Sequence, residues 1–240
     1  STWWTLGRAD KAWDVRLSAF PDFDQVVDTR RAKDLLSESA TQAELDGHVF
    51  AALGLQEAAM QYAGEQDTPV DRCEGFVWLA RAAGRAGRSR LADEALQRAR
   101  PALGEVTDEA MKSRFAAELS LAEAHLELTD DPAAAIAAAD RAARWLETVD
   151  KQNQLIECYL LRGRARERYG QLAGALGDYI LGLRTAEAQR ARIGDLALRI
   201  SFFDTVSELG RALVSLELER GNSTRALLLA DRVRATTMPE

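Results

Sequence analysis

The sequence is poor in the residues that build metal sites and disulfide frameworks. Its 240 residues include only 2 Cys and 2 His, and the two cysteines, Cys73 and Cys158, lie far apart with no paired spacing. A zinc site or a disulfide framework needs several such residues at characteristic intervals. The sequence therefore predicts neither of these, and no cofactor. Two isolated thiols fit a reducing cytoplasm, which is the compartment we expect.

Proline, strand patterns and long apolar runs are also scarce. The five prolines, at positions 21, 69, 101, 132 and 239, fall between segments with helical patterns, where proline is tolerated. Runs of β-branched residues with period-two alternation are missing, which argues against strands. No apolar stretch approaches the roughly 20 residues that cross a bilayer, so we expect no membrane partner. The start lacks the features of a signal peptide and is not Met, so we expect a processed chain or a fragment.

Positive charge is in deficit. With 31 Lys and Arg against 38 Asp and Glu, the formal net charge is −7. Nonspecific binding to nucleic acid relies on a basic surface that neutralises phosphates, so the sequence predicts no nucleic-acid partner. Ala and Leu dominate instead, and 47% of the residues are hydrophobic. That fraction is enough for a continuous core of amphipathic helices.

Residues 156–184 show this helical organisation most clearly. Two amphipathic patterns flank a break around Gly170. The small residues Gly163 and Ala175 lie inside the two patterns, although helix propensity disfavours an interior glycine. Such a glycine is tolerated when a neighbouring helix must approach closely, and tyrosine side chains fill the space beside it. The segment therefore predicts a packed helical hairpin.

The remaining periodicity predicts further helices on both sides of this hairpin. A box-like start at Asp71 and Glu74 and the Asp131-Pro132 pair favour new helices at those points. The predicted helices cover residues 9–20, 24–37, 41–63, 72–86, 89–100, 108–128, 133–148, 195–220 and 224–234. We expect residues 1–70 to form N-terminal helices that are a cap or an eroded repeat. Residues 71–236 are expected to hold about four helix pairs, and residues 237–240 to begin a linker.

Several of these helix pairs resemble tetratricopeptide repeats. The shared pattern is a large residue, a small one four positions later, a turn glycine, and then small and large residues in the second helix. Matching positions are Tyr159, Gly163, Gly170, Ala175, Tyr179 and Gly182 in one unit, Phe76, Ala80, Gly87, Ala92, Leu96 and Ala99 in another, Ala122, Ala135, Ala139 and Ala142 in a third, and Gly210, Val214, Gly221, Ala226, Ala230 and Val233 in the last.

The resemblance covers roughly residues 72–236. The alanines Ala92, Ala135, Ala175 and Ala226 are 43, 40 and 51 residues apart, which is longer than the usual repeat of about 34 residues. The resemblance implies an all-α fold, a right-handed α-solenoid of antiparallel helix pairs in which each repeat packs against its neighbours.

The segment from Gly221 to Thr236 also resembles the last repeat before a CHAT domain. CHAT domains are caspase-like peptidase domains that follow such repeats in many bacterial proteins. Ala226-Leu227 and the residues from Ala230 to Ala235 carry the resemblance. It implies the regulatory region of a larger bacterial protein, whose catalytic His and Cys would lie beyond residue 240. The chain's own C-terminal effector domain is then one expected partner.

In tetratricopeptide arrays the first helix of each pair lines the concave, partner-binding face. Carried over to this sequence, the candidate binding residues are Glu74, Arg81, Arg85, Glu123, Glu157, Arg164, Arg168 and Arg211. One interpretation is that alternating Arg and Glu residues form salt bridges between repeats. The other is a polar groove whose arginines bind an acidic peptide or a carboxylate. The Lys and Asn residues of the chaperone-tail carboxylate clamp are missing, which argues against that ligand.

The sequence thus predicts a non-catalytic scaffold that binds a protein or peptide. One alternative is the peptide- or small-molecule-sensing domain of a bacterial transcription regulator. Another is an enzyme with a Cys158–His125 dyad, which would need the two side chains within hydrogen-bond reach. A further open point is whether the N-terminal aromatic residues cap the helical stack or dock a partner. These residues are Trp3, Trp4, Trp13, Phe20 and Phe23.

Overall fold

The described part of the chain is all-α. The structure, a computed structural model, describes residues 9–19, 29–64, 67–149, 151–190 and 196–237, and these residues contain no strand. They form the helices α1 (Ala9–Ala19), α2 (Thr29–Leu45), α3 (Val49–Gln61), α4 (Pro69–Arg85), α5 (Ser89–Glu105), α6 (Glu109–Glu127), α7 (Pro132–Leu146), α8 (Gln152–Arg168), α9 (Leu172–Arg190), α10 (Leu196–Glu219) and α11 (Ser223–Thr237).

The chain divides into two compact units. Unit 1 comprises residues 1–115 and 193–201, and unit 2 comprises residues 116–192 and 202–240. Within unit 1, α3 packs against both α2 and α4, and α4 packs against α5. Within unit 2, α8 packs against both α7 and α9. Each unit therefore contains helical hairpins whose second helix contacts the first helix of the next hairpin.

Four of the helical hairpins have the same kind of turn between their helices, which contains a glycine with positive φ. These glycines are Gly47, Gly87, Gly170 and Gly221, with φ angles of 80°, 69°, 84° and 77°. The residue after each glycine donates its N–H to a carbonyl five residues earlier, at 2.7–2.9 Å: His48 to Ala43, Arg88 to Ala83, Gln171 to Arg166 and Asn222 to Glu217. This is the Schellman motif, and glycine suits its left-handed position because it lacks a Cβ atom.

Each of these turns is followed, five residues after the glycine, by a buried alanine. The four are Ala52, Ala92, Ala175 and Ala226. The hairpin of α6 and α7 reaches the same arrangement by a different turn. There the Asp131 side chain accepts the N–H of Ala134 at 2.9 Å, Pro132 begins the helix, and Ala135 is buried. The predicted helix start at Asp131 is thus confirmed. The alanines that carry the repeat resemblance, Ala92, Ala135, Ala175 and Ala226, are all buried.

The close approach predicted at Gly163 is present. A Cβ atom at this position would lie only 2.3 Å from Cε1 of Tyr179, which is fully buried. Since Tyr179 is on α9 and Gly163 on α8, the ring occupies the space that any larger side chain would need. The hydroxyl of Tyr179 donates to Glu167 at 2.7 Å and fixes the ring from its far end. The same relation joins Gly210 of α10 to Val233 of α11.

The prediction of one long helix over residues 41–63 is wrong. The chain reverses at Gly47, so that α2 runs to Leu45 and α3 begins at Val49. Apolar residues continue at helical spacing through the turn because both helices bury a face, and this continuity hid the break. The predicted helix over 24–37 extends further than expected, to Leu45, in the helix that the structure describes from Thr29; residues 24–28 of that prediction lie outside the described residues. Residues 29–61 therefore form a hairpin with the same glycine turn as the later ones.

Two local predictions around the prolines also need correction. Pro101 does not end its helix, because α5 continues to Glu105. Its φ is compatible with a helix, and the ring is exposed, so the chain loses one backbone hydrogen bond without a break. The capping box of α4 is formed by Thr68 and Asp71 rather than by Asp71 and Glu74. It lies three residues earlier than predicted, with Pro69 at the first helical position.

Candidate functional site

In unit 1, the candidate binding residues are ion-paired between first helices. Arg81 and Arg85 of α4 both reach Oε1 of Glu44 on α2, at 3.3 and 3.0 Å. Glu74 of α4 accepts a hydrogen bond from Arg114 of α6 at 3.1 Å. Glu44 was not among the predicted residues because it fell inside the supposed long helix. If the turn at Gly47 is identified in the sequence, Glu44 is assigned to the last turn of a first helix.

In unit 2, two candidate arginines of α8 reach neighbouring first helices. Arg164 donates to Oε2 of Glu208 on α10 at 2.9 Å, and both side chains are about two-fifths exposed. Arg168 is exposed and uses Nη1 to contact the carbonyl of Leu128 and Oγ1 of Thr129, each at 3.0 Å. Both of these oxygens are neutral. Arg168 therefore differs from the other paired candidates in contacting no carboxylate among the described residues.

The other candidates of unit 2 lie on α6, α8 and α10. Glu123 accepts a hydrogen bond from Arg141 of α7 at 2.6 Å, within its own hairpin. Oε1 of Glu157 lies 3.0 Å from Nε2 of His125 on α6. Arg211 is exposed on α10. The eight residues thus do not converge on one pocket, and the structure places them in several separate contacts along the first helices.

The contacts of Arg164 and Arg168, which are more exposed than those of the other candidates, are weak enough to be exchanged. Solvent-exposed ion pairs contribute about 0–1 kcal/mol each, because water competes for the charges and both side chains lose freedom. The Arg164–Glu208 pair is of this kind. A guanidinium has five donors, and Arg168 uses one nitrogen for its two neutral contacts. The remaining donors can form the bidentate pair that a carboxylate of a partner offers.

A second polar cluster of unit 2 is buried and was not predicted. Asp178 of α9, only 1% exposed, accepts hydrogen bonds from Nε and Nη2 of Arg162 at 3.0 and 2.7 Å and from Nη1 of Arg166 at 2.9 Å. Arg162 also donates to Asp140 of α7 at 2.7 Å. The cluster pairs two arginines with two aspartates across three helices. No local spacing in the sequence distinguishes Arg162 from the exposed arginines beside it.

Burial and pairing act in opposite directions on the buried cluster. Burial raises the pKa of Asp178, and the hydrogen bonds and charges of Arg162 and Arg166 oppose that rise. Burial also acts to lower the pKa of Arg162, but its hydrogen bonds to Asp178 and Asp140 more than offset this, so the pKa is raised. Arg162 therefore stays charged, and the cluster acts as an internal clamp between α7, α8 and α9.

Cys158 and His125 have separate partners. The thiol of Cys158 is fully buried and donates to the carbonyl of Ala139 on α7 at 3.3 Å. Burial raises the pKa of this thiol to about 12, so it is protonated at neutral pH and a poor nucleophile. His125 is hydrogen-bonded to Glu157. The hydrogen bond that the dyad hypothesis requires is therefore not formed between these two residues.

Trp13 is the one N-terminal aromatic residue within the described ranges. Its Nε1 donates to Oδ2 of Asp46 at 2.8 Å, so α1 contacts the turn between α2 and α3. Arg16 of the same helix donates to Oγ of Ser39 at 3.0 Å. Trp3, Trp4, Phe20 and Phe23 lie outside the described residues.

Two features are absent from the described ranges. These ranges contain no group of three or more His, Cys, Asp or Glu side chains placed to hold a metal ion. None of the described helices combines the length and the apolar character needed to cross a membrane.

Comparison with known proteins adds no assignment. No protein-family model and no curated protein matches the chain. The resemblance to tetratricopeptide repeats consequently rests on the residues quoted above, and the helical hairpins with their glycine turns are the structural findings that accompany it.

Proposed function

We propose that the chain is a non-catalytic scaffold that binds a protein or peptide through acidic side chains of that partner. In this proposal the helix pairs form a right-handed, tetratricopeptide-like α-solenoid. The region regulates a larger bacterial protein of the CHAT type. The single observation that supports partner binding best is the state of Arg168, an exposed guanidinium whose contacts are neutral oxygens.

The neighbourhood of Arg168 supports an acidic partner. Arg164 lies one helical turn earlier on the same face of α8, and its partner Glu208 is exposed enough to be displaced. A carboxylate from a bound segment can replace Glu208 on Arg164 or pair with Arg168 directly. Hydrogen bonds that involve charged groups contribute about 1.5–3 kcal/mol when formed in a complex. Two such contacts supply about 3–6 kcal/mol of the roughly 8 kcal/mol that a micromolar complex requires, so a bound segment must make further contacts with the surface.

A charge-matched comparison tests this proposal. The probes are fluorescein-labelled peptides from an array of acidic sequences, each paired with a copy in which Gln replaces every Glu. Fluorescence anisotropy measures their binding to the wild type and to the Arg164→Glu, Arg168→Glu variant. The matched control is Arg144→Glu, Arg184→Glu, which changes two exposed arginines of second helices. We expect the first variant to lose at least about tenfold in affinity, since each 1.4 kcal/mol is tenfold, and the control to lose little.

The milder Arg168→Gln variant separates binding from folding. It removes the charge but keeps a side chain that can hydrogen-bond, and circular dichroism checks that the helices remain. Acidic and Gln-substituted peptides that bind alike, or two double variants that weaken binding equally, would contradict the proposal.

The link to a CHAT protein has a separate test in the coding sequence downstream of residue 240. A caspase-like domain there supports it, whereas a helix-turn-helix domain favours the transcription-regulator alternative.

A further inference from the structure

A cleft in unit 1 lies between the second helices of two neighbouring hairpins. Phe50, Leu53, Gly54 and Glu57 line it from α3, and residues 88–91 line it from the start of α5. Its volume of about 640 Å³ falls within the roughly 300–1,000 Å³ of typical ligand clefts. The candidate binding arginines are all on first helices, so this surface, which we call the α3–α5 cleft, is separate from them.

Phe50 leaves a large apolar surface exposed in the cleft. It is 68% exposed, whereas Leu53, one turn further along α3, is only 6% exposed. Leu91 of α5 is half-buried. The next hairpin, formed by α4 and α5, is already in place, because α3 packs against α4. The exposed ring of Phe50 is therefore not the site at which the next hairpin packs, and its burial by a partner is favourable.

Gly54 keeps the α3 wall of the cleft free of a side chain. It is exposed in the interior of α3, and a Cβ atom there would meet nothing within 4 Å. Helix propensity disfavours such a glycine. At Gly163 a close contact with Tyr179 explains it, but no described residue lies close enough to explain Gly54. Residues 50, 54 and 57 share one face of the helix, so a side chain from outside can lie against the backbone between Phe50 and Glu57.

The α5 side of the cleft is positively charged. The exposed Arg88 makes no ion pair with any described residue. Arg90 pairs with Glu94 at 3.2 Å, but its side chain is 93% exposed, so water competes for this pair and it exchanges readily. No side chain caps the start of α5, where the helix dipole also favours negative charge. A carboxylate next to an apolar group is therefore complementary to this cleft.

We propose that the α3–α5 cleft binds a segment of a partner protein in which a large apolar side chain is adjacent to a carboxylate. The apolar side chain packs against Phe50 and over Gly54, and the carboxylate pairs with Arg88. This surface is on unit 1 and does not depend on Arg164 and Arg168 of unit 2, so either binding surface can exist without the other.

Peptide selection on the full chain tests this inference. The probe is a phage-displayed library of random peptides, and the enriched sequences are then made as fluorescein-labelled peptides. Fluorescence anisotropy compares their binding to the wild type and to Gly54→Leu, which fills the cleft. The matched control is Gly177→Leu in α9, which also lies seven residues after a turn glycine and where a Cβ also meets nothing within 4 Å. Circular dichroism checks that both variants keep their helices, since leucine is favoured over glycine there.

We expect the enriched peptides to place a large apolar residue next to Asp or Glu. Gly54→Leu should weaken their binding at least about tenfold, because the new side chain occupies the space that the apolar group needs, and Gly177→Leu should leave it unchanged. Arg88→Gln should weaken binding several-fold, since it removes the charge that faces the carboxylate. Its matched control is Arg220→Gln, which changes another exposed arginine beside a turn glycine.

Three outcomes would overturn the inference directly: no enriched sequence, enriched peptides without carboxylates, or binding that survives Gly54→Leu. Peptides that lose affinity in the Arg164→Glu, Arg168→Glu variant and keep it in Gly54→Leu would likewise overturn it, and they would support the proposed function instead. The two proposals therefore fail separately.

Discussion

Replacement of Gly163 by Ala tests the packing of the α8–α9 hairpin directly. An added Cβ would lie 2.3 Å from Cε1 and 2.6 Å from Cδ1 of Tyr179, far inside van der Waals contact. The ring cannot move aside freely, because it is fully buried and its hydroxyl is hydrogen-bonded to Glu167. Gly177 of α9 provides the matched control, since it is exposed and a Cβ there would meet no atom within 4 Å.

The two substitutions should change stability in opposite directions. Ala is favoured over Gly in a helix interior by about 1 kcal/mol, and Gly177→Ala should gain about that amount. Gly163→Ala gains the same but pays the overpacking cost of about 1–3 kcal/mol. Since the obstructing atoms belong to a fixed ring, we expect the upper end of that range. The net loss is then about 2 kcal/mol, or a roughly 30-fold increase in the open population of unit 2.

Thiol labelling measures this opening inside each unit. Cys158 lies in α8 of unit 2 and Cys73 in α4 of unit 1, and both are buried. Because the pKa of Cys158 is raised to about 12, a maleimide reacts with it only when the segment opens. When closing is fast relative to labelling, the rate follows the equilibrium open population. Peptide mass spectrometry reports both cysteines in the same sample.

We expect Gly163→Ala to speed the labelling of Cys158 about 30-fold and Gly177→Ala to slow it. Addition of Tyr179→Leu to the Gly163→Ala variant should restore part of the loss, because the shorter side chain leaves room for the new Cβ. The reasoning is refuted if Gly163→Ala labels no faster than the wild type, or if the Tyr179→Leu replacement gives no recovery relative to the same change alone.

Three further substitutions probe other features of the fold. Thr68→Ala removes the cap of α4 and should lower the free energy of unfolding by about 0.5–2 kcal/mol; urea unfolding should show this loss at neutral pH. Burial acts to raise the pKa of Asp71, but hydrogen bonds from Thr68 outweigh it and hold this pKa below its usual value. The loss in Thr68→Ala should therefore shrink as the pH falls and Asp71 is protonated. Asp178→Ala leaves Arg162 in a buried site with one fewer carboxylate and should cost about 3–5 kcal/mol, measured by thermal unfolding. Gly47→Ala places a Cβ at φ 80° and should cost about 1–2 kcal/mol in the same assay.

Each of these has a nearby control. Gly54→Ala lies in the same hairpin as Gly47, meets no atom within 4 Å and should stabilise α3 slightly. Asp140→Asn changes the more exposed aspartate of the buried cluster, so it should cost less than Asp178→Ala. A pH-independent loss in Thr68→Ala would show that Asp71 does not contribute through its charge.

The sequence was sufficient to predict the features that depend on local rules. The turns at Gly87, Gly170 and Gly221 were found because a glycine closes each amphipathic pattern. The contact at Gly163 followed from the anomaly of a glycine in a helix interior. The turn at Gly47 obeys the same rule, with Ala52 five residues later, and it could have been found by applying the repeat pattern upstream. It was missed because the apolar spacing continues through it.

The pairing of charged residues could not be predicted in the same way. Arg81 and Glu44 are separated by 37 residues, and Arg164 and Glu208 by 44. Which carboxylate each arginine meets depends on how neighbouring hairpins pack, and no spacing rule reaches that far. The prediction that these residues bind a partner stays a prediction. What the structure adds is that most of them already contact an oppositely charged side chain, so that a partner must compete with existing pairs.

The arginines of helix α8 lie on two faces with different surroundings. Arg162 and Arg166, one turn apart, point to the buried Asp178 on α9. Arg164 and Arg168, offset from them by two residues, contact α10 and the end of α6 and remain accessible. A buried ion pair is costly to break, whereas an exposed one is nearly neutral. Loss of charge at 162 should therefore lower the stability of unit 2 by about 3–5 kcal/mol, while loss at 168 should leave that stability unchanged and weaken only the binding of an acidic partner. If both changes lowered stability equally, Arg168 would have to be assigned to the packing of the helices, and the proposed binding surface would lose its main support.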